Sequence, residues 1–263
     1  MNYPLDKVLF VSKEAAISAG KVIMQIYEDS DAFEAEYKKD NTPITIADKK
    51  ANRIIVDILK EQFPEYAILS EEEVDDKKRL NNPYCFIIDP LDGTKEFINR
   101  NGEFTVNIAL AENHRVILGV IYMPVTEELY YASVENGTYY QNKREKKQLY
   151  VSNNVDNLTL VTSHSHKRDV CMNAFIKQHP IITNVIYRGS SIKGCMIASG
   201  EADVYYRFVH CMEWDTAAMH CIVEQAGGYF RQLDGTEMLY NRIDSNNNIG
   251  FYALNSISNL LLN

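Results

Sequence analysis

Residues 85–97 read Cys-Phe-Ile-Ile-Asp-Pro-Leu-Asp-Gly-Thr-Lys-Glu-Phe, an apolar run that ends in two acidic residues three positions apart. The apolar residues predict a buried strand, and Pro90 and Gly93 predict a sharp turn where the strand ends. Asp89 and Asp92 would therefore lie on a turn at the edge of a sheet. Unpaired carboxylates close to a core are costly, and a hard cation that prefers oxygen ligands would offset that cost. The same residue types are also favoured in ordinary β-turns, so this stretch alone leaves both interpretations open.

Two further segments place acidic residues at the boundary of an apolar run. Residues 67–70 read Ala-Ile-Leu-Ser and predict a short strand, which Glu71 follows directly. Asp215 follows the only tryptophan of the chain, in Glu-Trp-Asp-Thr-Ala-Ala at 213–218. Because three separate segments now present carboxylates in this way, a metal site is favoured over an isolated turn.

Composition and charge limit the class of protein. The chain has 263 residues, enough for one large or two small domains with a sizeable core. A net charge of −9 argues against a protein that binds nucleic acid, since backbone binding requires clustered Lys and Arg. Five cysteines without paired spacing favour a reducing compartment, and we identify no signal peptide and no apolar run of membrane-spanning length. We expect a cytoplasmic protein, with peripheral association with the inner membrane and the oligomeric state left open.

The first half of the chain predicts an α+β domain, residues 1–152, that would bind the metal. Apolar residues recur at helical spacing over residues 5–28. A second helical series follows Thr45, which together with Asp48 matches a helix capping box. The segments after the acidic turn predict an antiparallel meander, which would pack with these two helices. Within it, Asn-Gly at 136–137 predicts a hairpin whose two turn residues both have positive φ.

The second half, residues 153–263, alternates predicted strands and helices and predicts an α/β domain that completes the site. Residues 188–194 form a tight Gly-Ser turn between a strand and a small-residue helix. The free N–H groups at such a helix start suit an anionic or polar ligand. Another strand, predicted over residues 203–208, contains Arg207, and a helix is predicted from about Thr216.

Three motifs, in this order along the chain, resemble the inositol monophosphatase superfamily of metal-dependent, lithium-sensitive phosphatases. They are Ser-Glu-Glu at 70–72, Asp-Pro-Leu-Asp-Gly-Thr-Lys-Glu-Phe at 89–97 and Trp-Asp-Thr-Ala-Ala at 214–218. Within that superfamily, Lys-Glu-Phe and the sequence at 100–110 resemble the bacterial 3'(2'),5'-bisphosphate nucleotidases. That branch removes the 3'-phosphate of adenosine 3',5'-bisphosphate to give AMP, and it belongs to sulfur metabolism. The resemblance covers nearly the whole chain and implies a layered αβαβα sugar-phosphatase fold.

The resemblance also implies which residues carry the chemistry. Two or three Mg²⁺ ions would be held by Glu71, Asp89, the Leu91 carbonyl, Asp92 and Asp215, with Asp48 as an accessory acid beside the weakest position. A water oriented and deprotonated with the help of Glu71 and Thr94 would attack the phosphorus atom, without a covalent intermediate. Asp89 and Asp92 complete the implied catalytic set. The implied contacts to the nucleotide substrate are Leu91, Asp92, Gly93, Thr94, Ser190, Ser191, Lys193, Arg207 and Asp215.

One departure from the nucleotidase pattern concerns the substrate. Residues 163–166, Ser-His-Ser-His, resemble a Ser-Arg-Ser-His segment of that branch, with His164 where arginine is expected. The difference removes one expected phosphate contact. A general-base role for His164 or His166 is disfavoured relative to the water route.

The residues themselves bear on three alternative functions. Haloacid dehalogenase phosphatases carry Asp-x-Asp-Gly-Thr after a strand, whereas two residues separate Asp89 from Asp92 here, which favours chelation by both. The same scaffold could act on inositol monophosphate or on a sugar bisphosphate. A sensor that binds a phosphorylated ligand without turnover is disfavoured, because binding alone does not require both Glu71 and Thr94.

The spacing of the cysteines predicts small core residues and argues against a zinc site. His-Cys at 210–211 and at 220–221 matches no common structural zinc spacing. Cys171 and Cys195 are predicted to be small core residues.

Overall fold

Two β-sheets, each covered by helices on both faces, make up most of the fold. The structure, a computed structural model, describes residues 3–29, 35–37, 43–164 and 170–262. The helices are α1 (Leu5–Glu28), α2 (Ile46–Gln62), α3 (Thr94–Ile98), α4 (Val170–Gln178), α5 (Ile192–Ser199) and α6 (Glu213–Gln225). The strands are β1 (Ala35–Tyr37), β2 (Pro43–Thr45), β3 (Ala67–Ser70), β4 (Tyr84–Asp92), β5 (Thr105–Glu112), β6 (Arg115–Met123), β7 (Glu128–Ser133), β8 (Gly137–Gln141), β9 (Lys146–Gln148), β10 (Leu158–Thr162), β11 (Ile182–Tyr187), β12 (Val204–Arg207), β13 (Cys211–Met212), β14 (Tyr229–Gln232), β15 (Asn246–Asn247) and β16 (Phe251–Leu254). Two 3₁₀ turns lie at Lys78–Asn81 and Ile257–Asn259.

The larger sheet has seven strands in the order of the chain, β3 to β9. Only β3 and β4 run parallel, and the remaining neighbours are antiparallel, as the predicted meander requires. The smaller sheet has the order β11-β10-β12-β16-β14. In it, β10 runs parallel to β11 and β12, whereas β16 is antiparallel to β12 and β14. The parallel β3–β4 pair matters for function, because two acidic segments leave it at the same edge.

Alternate residues of β4 face different helical layers. Phe86 and Ile88 pack with α1 and α2, whereas Cys85 and Ile87 pack with α5 and α6. This alternation follows from the two-residue period of a strand, and apolar residues occupy both sets because both faces are covered. The larger sheet is therefore a fully buried layer between two helical layers.

Small residues on the larger sheet let α6 lie directly on it. A Cβ atom added at Gly119 would lie 2.5 Å from the backbone oxygen of Ala218 in α6. Ala109 and Ala132 contribute further small side chains to the same core. Helix α6 therefore packs at close range on the sheet, with contacts to β4 and β5.

The smaller sheet covers the other side of α5 and α6, and α4 covers the smaller sheet. Phe230 and Phe251 of this sheet belong to the same core as α5 and α6. On its opposite face, Met172 and Phe175 of α4 pack with Tyr206. The order of layers is therefore α1 and α2, sheet, α5 and α6, sheet, α4, and the predicted αβαβα fold is confirmed. The division into domains at residues 152 and 153 stays a prediction.

Local signals in the sequence located several elements correctly. Helix α1 has the predicted bounds, residues 5–28. The capping box at the start of α2 is also confirmed: the Thr45 N–H donates to Asp48 Oδ2 at 2.8 Å, and the Ala47 N–H donates to Thr45 Oγ1 at 3.1 Å.

Other expectations were wrong in detail. Strand β4 does not end at Asp89 but continues through a bulge to Asp92. Helix α6 begins at Glu213, three residues before the predicted start, so that Asp215 lies in its first turn. The 133–137 hairpin has a positive φ, 78°, at Gly137 only, because three residues connect the strands. Strand β14 was not predicted.

The cysteines divide between core and surface. Cys85, Cys195, Cys211 and Cys221 are buried, but Cys171 is exposed, since it lies on the outer side of α4. The prediction of Cys171 as a core residue is therefore wrong. No helix among the described residues combines the length and the apolar character needed to cross a membrane.

Candidate active site

Strand β4 brings two carboxylates together through its bulge. Asp89 is paired with Asn107 of β5, and Asp92 is paired with Thr105, so β4 has one residue more than β5 between these pairs. Residues three apart on a regular strand point to opposite faces, and an inserted residue re-aims the side chain that follows. Pro90 is tolerated at this position because a bulge leaves a residue out of the hydrogen-bonded ladder. The Leu91 N–H donates to Asp89 Oδ1 at 3.1 Å, which closes the bulge.

Asp215 joins this pair from the first turn of α6. Its Oδ2 accepts a hydrogen bond from the Met212 N–H at 2.8 Å, and a carboxylate at the N-terminus of a helix is favoured by the helix dipole. Carboxylate oxygens of Asp89, Asp92 and Asp215 all lie within 4.8 Å of one another. The structure therefore places three of the predicted metal ligands at one point.

Glu71, Asp48 and Thr94 surround the same point. Glu71 follows β3, and its N–H donates to the Ile88 carbonyl at 3.1 Å, which keeps it level with the end of β4. Thr94 Oγ1 donates to Asp48 Oδ1 at 3.2 Å and lies 3.4 Å from the Leu91 carbonyl oxygen. One pocket is lined by Glu71, Asp89, Leu91, Asp92, Gly93, Thr94, Lys95, Glu96 and Asp215.

Two buried carboxyl groups of this pocket, Asp89 and Asp215, have raised pKa values. Burial raises the pKa of Asp89 well above its usual value, and the charges of Glu71, Asp92 and Asp215 add to the effect. Burial likewise raises the pKa of Asp215 to about 6, with Asp92 adding and Arg207 opposing. The carboxylates are thus held together against their repulsion.

A divalent cation fits this arrangement. The ligand atoms that the described residues offer here are carboxylate oxygens and the Leu91 carbonyl, and no cysteine, methionine or histidine is among the described lining residues. Oxygen-only sites suit hard cations, and a bound cation would neutralise the charges that raise the pKa values of Asp89 and Asp215. The donor set therefore supports a metal centre at this point.

A second, partly basic pocket adjoins the acidic one. It has a volume of about 240 Å³ and shares Asp92, Gly93, Lys95, Glu96 and Asp215 with the acidic pocket. Its remaining lining includes Ser163, Ser190, Ser191, Lys193, Tyr205 and Arg207. The structure therefore brings all five predicted contacts from the second half of the chain, Asp215 among them, to one cleft.

The 188–194 turn presents two different serines to the cleft. Ser190 has a φ of 44°, and its buried hydroxyl has no hydrogen-bond partner among the described residues. Ser191 Oγ instead donates to Asp92 Oδ2 at 2.7 Å and accepts from Asn107 Nδ2 at 2.8 Å. Ser191 thus orients Asp92, whereas a strained backbone and an unsatisfied hydroxyl mark Ser190 as a residue that meets a ligand.

Lys193 is a buried cation that faces this turn. Its Nζ donates to the Ser190 carbonyl at 2.5 Å and lies 5.5 Å from the centre of the Tyr205 ring. Burial lowers the pKa of Lys193 to about 8, and the nearby charge of Asp92 opposes the decrease. Arg207 ends β12 on the same side of the cleft, where its Nη2 donates to the His210 carbonyl at 3.0 Å. Two cations are therefore available to an anionic group.

Comparison with known proteins identifies the family. The sequence model of the inositol monophosphatase family matches residues 4–250. The chain belongs to this family. The resemblance deduced from the motifs is confirmed.

Similar relatives in the inositol monophosphatase family are bacterial nucleotidases. The chain is 41% identical over 252 residues to the 3'(2'),5'-bisphosphate nucleotidase CysQ of Buchnera aphidicola, covering 95% of this chain and 92% of the relative. It is 37% identical over 241 residues to CysQ of Escherichia coli K12, covering 90% and 96%. The crystal structure of CysQ from Bacteroides thetaiotaomicron has a TM-score of 0.82 and 38% identity, covering 94% of this chain and 97% of that one.

Sequence reasoning missed several residues of this inositol monophosphatase family site. Lys95 and Glu96 line both pockets, and their position directly after Thr94 was the available signal. Asn107 binds Ser191 and Asp92, at 3.2 Å from Asp92 Oδ2. An asparagine inside the otherwise apolar strand β5 was the signal for it. Ser163 and Tyr205 could be assigned only after folding.

Only one of the two histidines considered as a general base, His164, lies among the described residues. His164 Nε2 lies 2.7 Å from Glu103 Oε2 and is engaged there. His166 lies outside the described residues. His164 does not line the acidic pocket.

Proposed function

We propose that this chain is a Mg²⁺-dependent 3'(2'),5'-bisphosphate nucleotidase that hydrolyses adenosine 3',5'-bisphosphate to AMP and phosphate. The observation that carries the proposal is the contact between an acidic and a basic pocket in one cleft. A substrate with two phosphates needs one place for cleavage and another for recognition. The names of the similar CysQ relatives support the same substrate.

The acidic pocket would hold the phosphate that is cleaved. Glu71, Asp89, the Leu91 carbonyl, Asp92 and Asp215 would bind Mg²⁺, and we propose two ions there with Asp48 near a weaker third position. When bound, Mg²⁺ supplies a Lewis acid that polarises the phosphate and makes water a better nucleophile at neutral pH. The oxygen-only donor set supports this choice.

The residues of the chain would position the attacking water and receive its proton. The Glu71 residue lines the acidic pocket, and we propose that its carboxylate accepts the proton. Thr94 Oγ1, which donates to Asp48 at 3.2 Å, keeps its lone pairs available for the water's second proton. As the new P–O bond forms, the bond from phosphorus to the ribose 3'-oxygen breaks on the opposite side. That oxygen takes up a proton from a solvent water, and Glu71 returns the proton it accepted to solvent. The products are AMP and inorganic phosphate.

Gly93 would let the phosphate approach the backbone. Its φ is 93°, a conformation that side-chain-bearing residues rarely adopt. A Cβ atom here would also lie 3.1 Å from the Glu103 carbonyl oxygen and 3.3 Å from Ser190 Cβ. Gly93 and Thr94 both line the acidic pocket, and we propose that their N–H groups hold phosphate oxygens there.

The basic pocket would hold the 5'-phosphate. Lys193 and Arg207 are both on its wall, and Ser190 offers an unsatisfied hydroxyl. A phosphate dianion beside Lys193 would favour the protonated amine and so counteract the burial that lowers its pKa. Charge-assisted hydrogen bonds to a phosphate are among the stronger polar interactions in proteins.

A substrate panel tests the proposal. We expect kcat/KM for adenosine 3',5'-bisphosphate to exceed that for adenosine 3'-monophosphate by about 100-fold, since two or three charge-assisted hydrogen bonds are lost with the 5'-phosphate. Inositol 1-phosphate and fructose 1,6-bisphosphate should be poorer still. A wide preference for either of these would refute the substrate assignment, and binding without phosphate release would favour a sensor.

Two substitutions test the assignment of the acidic pocket. Asp92→Asn and Glu71→Gln should each remove most of the Mg²⁺-dependent activity while the circular dichroism spectrum stays unchanged. The matched control is Asp156→Asn, at an exposed aspartate outside both pockets. Retained turnover in either pocket variant would contradict the proposed ligand set.

A further inference from the structure

The carboxylate of Glu103 makes a polar contact that the proposed chemistry leaves unused. Glu103 Oε2 accepts a hydrogen bond from the Gly189 N–H at 2.6 Å and lies 2.7 Å from His164 Nε2. Its other oxygen lies 3.8 Å from Arg188 Nη1. Glu103 comes from the first half of the chain, and all three partners come from the second half.

The segment that Glu103 holds is the turn that forms the basic pocket. Gly189 directly precedes Ser190, whose φ of 44° and unpartnered hydroxyl mark it as strained. The carbonyl of Ser190 in turn accepts from Lys193 Nζ. A strained conformation persists only where its surroundings fix it, and the bond from Gly189 to Glu103 is one such constraint.

The backbone of Glu103 also lies between the two turns that contain Gly93 and Gly189. A Cβ atom at Gly189 would lie 2.6 Å from the Glu103 carbonyl oxygen and 2.7 Å from Glu96 Cγ. A Cβ atom at Gly93 would lie 3.1 Å from the same carbonyl oxygen. Glu103 therefore contacts the turn of the acidic pocket with its backbone and the turn of the basic pocket with its side chain.

His164 contacts the same carboxylate from a third segment. It follows β10, and its ring lies 6.4 Å from the ring of Tyr187 at the end of β11. The histidine that departs from the nucleotidase pattern thus faces Glu103. An imidazole N–H at this distance shares the carboxylate with the Gly189 amide and limits the positions that the carboxylate can take.

We propose that Glu103, held by His164, is a positioning residue that sets the 188–191 turn for the second phosphate of the substrate. It touches neither the carboxylates of the acidic pocket nor the reacting atoms. The expected effect of Glu103 on catalysis rests on the proposed function, whereas its role in fixing the conformation of the 188–191 turn does not. The expected signature is a loss of substrate binding that depends on the second phosphate.

The experiment compares Glu103→Ala, Glu103→Gln and the exposed control Glu61→Ala on two substrates. For Glu103→Ala we expect KM for adenosine 3',5'-bisphosphate to rise about 10- to 100-fold, the equivalent of one or two charge-assisted hydrogen bonds, with kcat within about twofold. KM for adenosine 3'-monophosphate should change by less than about threefold. Glu103→Gln should restore most of the binding, since its amide oxygen can still accept from Gly189.

Amide hydrogen exchange of a peptide spanning residues 187–193 provides a reading that needs no substrate. We expect faster exchange in Glu103→Ala than in the wild type, and near-normal exchange in Glu103→Gln and Glu61→Ala. His164→Ala, which removes one partner only, is the second variant and should raise KM for the bisphosphate about threefold.

Each outcome decides the proposal. Equal losses on both substrates, or a fall in kcat without a change in KM, would assign Glu103 a general structural role and overturn it. Unchanged exchange at residues 187–193 in Glu103→Ala would also overturn it. Should the wild type fail to prefer the bisphosphate, the proposed function would fail, and the exchange data would still show whether Glu103 holds the turn. If Glu103→Ala does not fold, His164→Ala carries the same comparison on both substrates, and no effect in His164→Ala would count against the proposal.

Discussion

Replacing Asp215 with asparagine should stabilise the metal-free protein, although it removes a proposed metal ligand. Burial, together with the charge of Asp92, raises the pKa of Asp215 from 3.8 to about 6. A carboxyl whose pKa rises by about two units on folding lowers the free energy of unfolding by about 3 kcal/mol at neutral pH. Asparagine has the same shape and no charge, and its oxygen can still accept the Met212 N–H that Asp215 accepts at 2.8 Å. We therefore expect a gain of about 2–3 kcal/mol, or about 5–10 °C in Tm.

The sign of the pH dependence follows from the same shift. An acid whose folded pKa lies above its unfolded pKa binds protons more tightly in the folded state. The destabilisation from Asp215 is therefore complete above about pH 6 and is lost as the pH falls toward 3.8. The advantage of Asp215→Asn should shrink to about half near pH 5.

Thermal unfolding followed by circular dichroism, with and without Mg²⁺, measures the effect. In chelator at about pH 7.5 we expect Asp215→Asn to melt above the wild type. In Mg²⁺ the order should reverse, because a cation that binds only the folded state stabilises it in proportion to its affinity. Asp156→Asn, at an exposed position, should change neither comparison. A metal-free Asp215→Asn protein that melts below the wild type at both pH values would refute the argument that repulsion among these carboxylates costs stability.

Three further substitutions test recognition and packing. Arg207→Met should reduce the preference for adenosine 3',5'-bisphosphate over the 3'-monophosphate by about tenfold in steady-state kinetics, because it removes one cation from the basic pocket. Gly119→Ala should cost about 1–3 kcal/mol in urea unfolding, since its Cβ would lie 2.5 Å from the Ala218 oxygen of α6; an unchanged midpoint would show that α6 can move off the sheet. Thr45→Ala should cost about 1 kcal/mol, the usual loss for a helix cap, and Thr45→Ser, which keeps the acceptor for the Ala47 N–H, should recover most of it.

The elements that could be predicted from the sequence are those whose signal is local. The capping box at Thr45 involves residues three apart, and the structure reproduces it. The start of α6 was wrong because Met212 occupies the N-cap position, where the side chain gives no capping signal. Asp215 accepts a hydrogen bond from the N–H of the N-cap residue, Met212. In the sequence alone, an acid at this position can be mistaken for a residue that precedes the helix.

The bulge in β4 could not be predicted, because it is a property of two strands. Its position depends on how Asp89 and Asp92 pair with residues of β5, and no pattern within 85–97 specifies that pairing. The consequence for the site is large, since the bulge determines that both carboxylates reach one point. The three carboxylates of Asp89, Asp92 and Asp215 do come together, but the backbone beneath Asp89 and Asp92 was predicted incorrectly. Their role as metal ligands stays a prediction.

The basic side of the cleft depends even more on tertiary structure. Lys193 and Arg207 lie on different elements, and only the packing of α5 beside β12 places them on one wall. The pair of Glu103 and His164 is separated by 61 positions and has no sequence signature. Lys193 and Arg207 could be assigned to the site from the sequence only by resemblance to a family, and Glu103 was not assigned at all.

The two pockets are electrostatically coupled, which has a consequence for the order of binding. The charge of Asp92 supports the protonated form of Lys193, and Arg207 opposes the raised pKa of Asp215. Without a metal, the basic residues are therefore partly neutralised by the acids of the neighbouring pocket. Once a divalent cation neutralises Asp92 and Asp215, Lys193 and Arg207 are left with their positive charge uncompensated, and an anion beside them is then favoured. Since such a coupling must act equally in both directions, AMP should bind more tightly in Mg²⁺, and Mg²⁺ should bind more tightly in the presence of AMP.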